Sequence, residues 1–559
     1  MGAARGAAPS TSDQERAEVL RWAIVVNRGQ PEAQTSELLA WAESQSGLAA
    51  PVVVEVDQAA CDRSPRRDRA AAAMLRWIQR VEGHGPAGHA GEASRAASSA
   101  AVNVPHPDDA ADAGLAALGT LRLDVLVDLT EDGCAQRLCS AARLGVLAVW
   151  YCGACRPGSD AAHGFWEVWR RDDTVQIEIR QVVDGSQSVL RQLRTTTQGG
   201  YALNRAVLLA RAQRALRRLL REVAEHGRWM AATDLMPNAQ LQRGAPCVTL
   251  QLAYLARRAW QAGQRMLNRY VMRRRPDWAV RVVEGDWRGA CLGQARRLPT
   301  PPNRFLADPF VVSRDGQSVV FVEEFDRARA RGHIAAYDVS SPGGGKLGDV
   351  IVEPFHMSFP FVFEYESKLY MCPEIAQSRE LRIYECSDFP LGWKLHSTPL
   401  RDIEAADPMI LPWDGRWWLL LSLDGDEVGD QCTELHAYYA DDPLSGQWVA
   451  HRGNPLIVDS TRGRNGGLLR AGERLFRVGQ RQAMGVYGRA CGIYAIDTLT
   501  ESDFQERHVA RVDPAFLRGA CGVHHMHSDG RFTVFDLVEL RSAVPARVRR
   551  ALRRVRAAP

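Results

Sequence analysis

Short apolar runs punctuated by turn residues divide the chain into two differently patterned parts. In the first, Arg21-Trp-Ala-Ile-Val-Val26, Pro51-Val-Val-Val-Glu-Val56 and Asp124-Val-Leu-Val-Asp-Leu129 are continuous and β-branched, the pattern of buried strands. Segments with helical spacing lie between and after them, at Asp68 to Val81 and Leu203 to Glu225. This alternation predicts an α/β domain over residues 20–226. Residues 83–112 are rich in Gly, Ala, Ser, His and Pro and read as a mobile loop. No Gly-x-Gly-x-x-Gly follows the first strand, so a dinucleotide site has no support. Residues 227–278 read as a helical connector. Within it, Leu252 to Arg275 sets apolar residues at helical spacing among seven Arg. That pattern suits a membrane surface or packing between domains, and packing is the expectation.

From about residue 279 to 540 the pattern becomes hairpins. Five segments repeat one plan: a small or Pro-containing start, an apolar strand, a turn, and a second apolar strand. They begin at Asp308-Pro-Phe-Val-Val, Phe359-Pro-Phe-Val-Phe, Asp407-Pro-Met-Ile-Leu, Asn465-Gly-Gly-Leu-Leu and Gly522-Val-His-His-Met. Their turns fall at residues 316, 367, 415, 472 and 530, spacings of 51, 48, 57 and 58. Asp-Gly between apolar runs is a strong hairpin signal. Further strand-like pieces follow in each unit, such as His333 to Asp338 and Leu435 to Tyr439. A unit of about 50 residues with about four strands is the size of a propeller blade, so five units predict a five-bladed β-propeller. Ala279-Val-Arg-Val-Val283 is positioned to supply the strand that closes the ring.

Composition narrows the function classes. The chain has 559 residues, 46% hydrophobic and 24% charged, enough for several packed domains and unlike a fibrous or disordered chain. A net charge of +4, with 67 Arg against three Lys, gives no reason to expect a nucleic-acid partner. No apolar run reaches the roughly 18–20 residues a membrane span requires, and Met1 to Arg21 does not read as a signal peptide. The expectation is a cytoplasmic protein. Twelve Cys are scattered without a framework, and the CxxC spacing of Cys152 and Cys155 has no second ligand pair nearby. Reduced, structural cysteines are expected, with no metal and no cofactor. The tail over 541–559 places six Arg between 547 and 556, with Val548, Leu552 and Val555 on one helical face. It reads as a solvated terminus or as a peripheral contact to anionic lipid.

Phe305-Leu-Ala-Asp-Pro-Phe310, His356-Met-Ser-Phe-Pro-Phe361, Leu369-Tyr-Met-Cys-Pro-Glu374, Ala406-Asp-Pro408, Trp417-Trp-Leu-Leu420, Arg477-Val-Gly-Gln480 and Tyr487-Gly488 carry a family resemblance. Through them, residues 279–540 resemble the N-terminal domain of plant glucosamine inositolphosphorylceramide transferases and their bacterial relatives. More distantly they look like the propellers of arabinanases, invertases and levansucrases. In the plant proteins a separate glycosyltransferase domain performs the transfer, and none is recognisable here. Leu123-Asp-Val-Leu-Val-Asp128, Ala142-Arg-Leu-Gly145, Gly164-Phe-Trp-Glu-Val168 and Val183-Asp184 give residues 20–226 a resemblance to the formyltransferase fold. The resemblance implies an Asn, a His and an Asp around a formyl-folate. The stretches after Asp128 and Gly145 supply neither Asn nor His, and only Asp184 matches, so a catalytically degenerate relative is expected.

The first strand of each blade lines the propeller channel, so residues at its start converge on one mouth. Asp308 and Asp407 occupy equivalent places in repeats one and three. Paired carboxylates across a polar funnel are what glycosyl transfer or hydrolysis uses: one attacks the anomeric carbon or activates water, and a protonated acid assists the leaving group. The propeller-enzyme resemblance implies those roles for Asp308 and Asp407. Opposed blades favour a separation near the inverting range of about 6.5–9.5 Å over the retaining range of about 5–5.5 Å. The acid has no clear match, because repeat four offers Arg462, Arg464 and Asn465; Glu374 and Glu324 are the substitutes. Arg464, Gln480, His356 and Glu324 suit binding of a sugar or phosphate, as do His524 and His525 of repeat five, although a His there is more often a hydrogen-bonded structural residue. Trp413, Trp417 and Trp418 read as inter-blade core. The expected partner is a carbohydrate or sugar nucleotide. A glycan-binding or scaffolding module without turnover, and a formyltransferase acting on an amino sugar, are the alternatives.

Overall fold

The computed structural model describes residues 19–28, 33–57, 66–83, 101–105, 107–130, 134–151, 162–229, 246–271, 274–424 and 431–542. Cys152 and Cys155 lie outside them, as does the tail from residue 543. The chain forms two compact units.

The first is α/β. Its strands are β1 (Trp22–Asn27), β2 (Val52–Val56), β3 (Ala101–Val104), β4 (Val125–Asp128), β5 (Val146–Tyr151), β6 (Thr174–Val183) and β7 (Ser186–Thr196). They lie in the order β3-β2-β1-β4-β5-β6-β7. The first five are parallel, and β6 runs antiparallel to β5. Every residue of β1 and β4 is buried, as their unbroken apolar runs require. Of residues 83–112, expected to be a mobile loop, 84–100 and 106 lie outside the described residues, whereas 101–104 form β3 and 107–112 begin the helix Pro107–Gly119. That helix offers Leu115 and Leu118 to the core but is otherwise mostly Ala, Asp and Gly, so its apolar stripe is faint. Pro at its first position is its main start signal. Asp184, the one residue matching formyltransferase chemistry, sits with Gly185 at an exposed hairpin tip with φ of 47° and 77°. It is a turn residue there. Asp128 is buried at the end of β4 and accepts hydrogen bonds from the Thr130 N–H (3.0 Å) and hydroxyl (2.6 Å).

The second unit contains a five-bladed propeller. Blade one spans Arg304–Ile351, blade two Ser358–Arg401, blade three Ala406–Val458 and blade four Asn465–Val512. Blade five joins Met526–Ser528 and Phe532–Ser542 to the strand Arg274–Glu284, which pairs with Phe532–Ser542 along its whole length. The five inner strands contact one another in cyclic order, which closes the ring. Three inner hairpins turn through two residues of positive φ: Asp315-Gly316, Glu366-Ser367 and Asp414-Gly415. The blades bury apolar faces against each other. Trp418, Leu419 and Met409 share one cluster with Phe310, Phe359 and Phe361, and each such side chain contributes about 1.5–3 kcal/mol of transfer free energy. Trp413 and Trp417 pack against the same cluster.

The connector contains the helix Val248–Met266, which continues as a π-helical turn to Val271. It buries Gln251 and Tyr254 but leaves Leu252, Trp260 and Met266 exposed. Its apolar stripe, expected to pack, is thus exposed at these three positions.

Candidate functional site

The inner strand of blade one carries a bulge that builds the site. Ala307 faces Glu323 and Phe310 faces Phe321, so Asp308 and Pro309 together oppose only Val322. The same irregularity recurs at Ser358/Phe361, Ala406/Met409 and Asn465/Leu468. In the first three blades the residue before Pro is left-handed: Asp308 at φ 49°, Phe359 at 45° and Asp407 at 48°. Such a backbone costs about 1–3 kcal/mol for a non-glycine residue, and the surrounding ladder holds it. In blade four the positive φ moves to the second bulge residue, Gly467, at 121°.

A cavity of about 270 Å³ opens above these bulges. Its polar wall includes Asp308, Glu323, His356, Glu374, Arg464 and His524, and its apolar wall includes Trp278, Phe305, Phe325 and Tyr487. Two carboxyl–cation–carboxyl groups flank it. In one, His524 Nε2 lies 2.9 Å from Asp308 and Nδ1 lies 3.1 Å from Asp536. Burial alone would depress the His524 imidazole, but Asp536 and Asp308 outweigh it and raise it to about 10. Asp308 also accepts the Phe359 N–H at 3.3 Å, while Asp536 accepts the N–H groups of Asp308, His524 and His525 at 3.1 Å. In the other group, Arg464 Nε donates to Asp407 at 2.6 Å and Nη2 donates to Glu374 at 3.1 Å. Gln480 Nε2 donates to the same Asp407 oxygen at 2.7 Å. Burial pushes Asp407 up against the pull of Arg464, whereas Arg464 and the Asp407 N–H hold Glu374 below its ordinary value despite burial.

Glu323 stands between the two groups. Burial, reinforced by the carboxylates of Asp308, Glu374 and Asp536, raises its carboxyl far above the ordinary range and favours its protonated form. His356 Nδ1 accepts the Gly332 N–H at 2.9 Å, and its Nε2 faces Glu323 at 3.7 Å.

Several sequence-derived candidates therefore meet in one cavity: Asp308, Glu374, Arg464 and His356. Three stand elsewhere. Asp407 and Gln480 lie behind Arg464, bonded to it or to each other, and do not line the cavity. Glu324 points to the opposite face of its strand, where it meets Arg304, the Tyr337 hydroxyl at 2.7 Å and Lys346 at 2.9 Å. It is not available as a substrate ligand or acid. The correction follows from strand alternation: Glu323, one residue earlier, faces inward. Glu323 opposite Ala307 also matches Glu374 opposite Ser358 in register. Counting both repeats back from their bulges would have revealed it. Trp278 and Tyr487 were missed as well. Trp278 lies edge-on to His524 at 4.1 Å, and Arg464 stands 5.4 Å from the Tyr487 ring centre. Gly488, at φ 62°, lets the backbone pass against both Trp278 and His524, where a Cβ would lie within 2.9 Å of each.

Two clusters of His and carboxylates bring ligand atoms within 4.8 Å of one another among the described residues. In Asp308–His524–Asp536 each carboxylate meets a different ring nitrogen of His524. Glu324–His333–Asp349 is filled by the Lys346 ammonium.

Residues 293–520 match the family model described as Glucosamine inositolphosphorylceramide transferase 1, N-terminal. The propeller is similar to that domain. Among curated relatives, Glucosamine inositolphosphorylceramide transferase 1 of Oryza sativa subsp. japonica is 36% identical over 210 residues, covering 37% of this chain and 28% of the relative. That of Arabidopsis thaliana is 33% identical over 214 residues, with the same coverage of 37% and 28%. The similarity thus spans under a third of the relatives' length. Among solved structures, a family 117 glycoside hydrolase of Zobellia galactanivorans aligns at 10% identity and a TM-score of 0.31, covering 51% of this chain and 98% of that one.

Proposed function

We propose that the propeller cavity acts on a glycan or activated sugar, by glycosyl transfer or hydrolysis at an anomeric carbon. The observation that carries this reading is the meeting, in one cavity, of Asp308, held against a buried imidazole and a backbone N–H, with Glu323, which burial and neighbouring carboxylates push toward its protonated form. Asp308 is ion-paired with the His524 imidazole and accepts a backbone N–H, while Glu323 is driven to keep its proton. Environments that separate two carboxyls in this way assign a base and an acid. In this reading Asp308 attacks the anomeric carbon or takes a proton from the incoming nucleophile. Glu323 delivers its proton to the departing oxygen, and the His524 imidazolium balances the charge at Asp308. Glu374 and Arg464 orient the sugar or its phosphate, with Asp407 and Gln480 as positioning residues that fix the guanidinium. Trp278 and Phe305 supply the flat apolar walls on which a sugar ring packs. The relatives' name, which states a sugar transferase acting on a glycolipid, supports the substrate class.

A panel of aryl glycosides and sugar nucleotides tests the proposal. Turnover of one of them by the full chain, abolished in Asp308→Asn, is the expected result. Binding of a sugar with no turnover of any would favour the second reading, a glycan-binding module. The engagement of Asp407 by Arg464 and Gln480, which leaves one carboxylate fewer in the cavity, favours that reading.

We infer that the N-terminal unit is formyltransferase-like in fold and without that chemistry. The parallel β1–β5 array with antiparallel β6 supports the fold, and the exposed hairpin position of Asp184 supports the loss of chemistry. Calorimetry with a formyl-folate tests it, with no binding expected.

A further inference from the structure

The helix Val248–Met266 and the turn after it present a surface that the cavity does not use. Its large exposed apolar side chains are Val248, Leu252, Trp260, Met266, Leu267 and Tyr270, with Trp260 68% and Met266 65% exposed. At about 100° per residue these positions, with Ala256, Ala259 and Gly263 between them, fall within about a third of the helix circumference. The opposite side is the one that packs: Gln251 and Tyr254 are fully buried, and the Tyr254 hydroxyl accepts the Tyr201 N–H at 2.9 Å. Arg257 and Arg258 tie that side down, donating to the carbonyls of Trp169 (2.7 Å) and Gly199 (2.6 Å). The helix is thus anchored by one face and offers a continuous apolar stripe on the other.

The charge around the stripe selects its occupant. No Asp or Glu occurs from residue 235 to 276, while seven Arg fall between 257 and 275. A stripe of Leu, Met, Trp and Tyr in an acid-free, arginine-rich segment is the composition of a helix that lies in the headgroup layer of an anionic membrane. The apolar side chains enter the acyl boundary, Trp260 and Tyr270 suit the interface, and the net positive charge of the segment draws it to anionic headgroups. An apolar dimer contact would bring two such cationic segments together and set like charges against each other. No helix among the described residues is long and apolar enough to cross a membrane, so the contact is peripheral. We propose that this helix docks the protein on an anionic lipid surface. The proposal does not rest on the reading of the cavity.

The test is co-sedimentation of the full chain with sucrose-loaded vesicles, either pure phosphatidylcholine or phosphatidylcholine with a third phosphatidylglycerol. The wild type should pellet with the anionic vesicles, weakly with the neutral ones, and less as salt rises. The double variant Trp260→Glu, Leu267→Glu should lose at least tenfold in partitioning while keeping its circular dichroism and melting temperature. Should that variant unfold, Trp260→Ala serves in its place, with a smaller loss expected. Failure of the wild type to pellet with anionic vesicles, or undiminished pelleting of a folded variant, overturns the proposal. So does a wild-type dimer, by sedimentation equilibrium, that becomes monomeric in the variant without vesicle binding, since the stripe would then face a second copy.

Discussion

Asp308 and Asp407 hold the same bulge position in blades one and three, with φ of 49° and 48°, yet only Asp308 faces the cavity. The backbone device is identical, and the neighbouring cation decides the outcome. His524 meets Asp308 through one nitrogen and leaves its other carboxylate oxygen to a single backbone N–H, whereas Arg464 and Gln480 saturate Asp407. Replacing each by Asn should separate the roles. Asn tolerates left-handed backbone, so both variants should fold. Asp308→Asn should abolish turnover, while Asp407→Asn should chiefly raise KM by loosening Arg464. Steady-state kinetics on the substrate found in the panel reads the difference.

Glu323→Gln keeps the shape and a hydrogen-bond donor but no transferable proton. Turnover should fall by about 10²–10⁴ on substrates with poor leaving groups and much less on activated aryl glycosides. Glu324→Gln, on the opposite face of the same strand, should leave kcat within a few fold. Equal losses in both variants would remove Glu323 from the acid role.

Stability should decline on the alkaline side. His524 is raised from about 6.5 to about 10, so its contribution is complete below pH 6.5 and is lost as pH climbs through 10. Glu323 and Asp407, also raised, act in the same direction from lower pH. Melting temperature measured from pH 6 to 10.5 should fall, and His524→Gln should flatten the curve while lowering its plateau.

Arg464→Leu would leave Asp407 and Glu374 buried without their shared cation. The expected loss is about 3–5 kcal/mol in urea unfolding. Adding Asp407→Asn should recover part of it, because the second change removes an uncompensated charge.

The blades were legible because their hairpin turns are local: Asp315-Gly316 and Asp414-Gly415 take the two positive φ values their sequence promises. The bulge residues were legible too, as Asp-Pro at matching places. The cavity wall was not, for two physical reasons. A strand's facing depends on counting from the bulge, and a slip of one residue exchanges Glu323 for Glu324. Trp278 meets Tyr487 and His524 only through ring closure, across more than two hundred residues, so no local pattern places it in the wall. In the first unit the helix Pro107–Gly119 escaped notice because two leucines suffice to anchor it.

The strand that fastens the ring also completes the site. Asp536, which grips His524 and the Asp308 backbone, lies on Phe532–Ser542, and that strand is held by Arg274–Glu284 from the beginning of the propeller. A nascent chain therefore carries most of the cavity residues long before it carries the cavity. Until synthesis passes residue 542, Trp278 has no His524 held against it and Asp308 has no fixed cation. Translation order alone keeps an unfinished chain from presenting the assembled cavity, and a premature stop before Asp536 removes the carboxylate that meets His524 together with most of the strand that pairs with Arg274–Glu284.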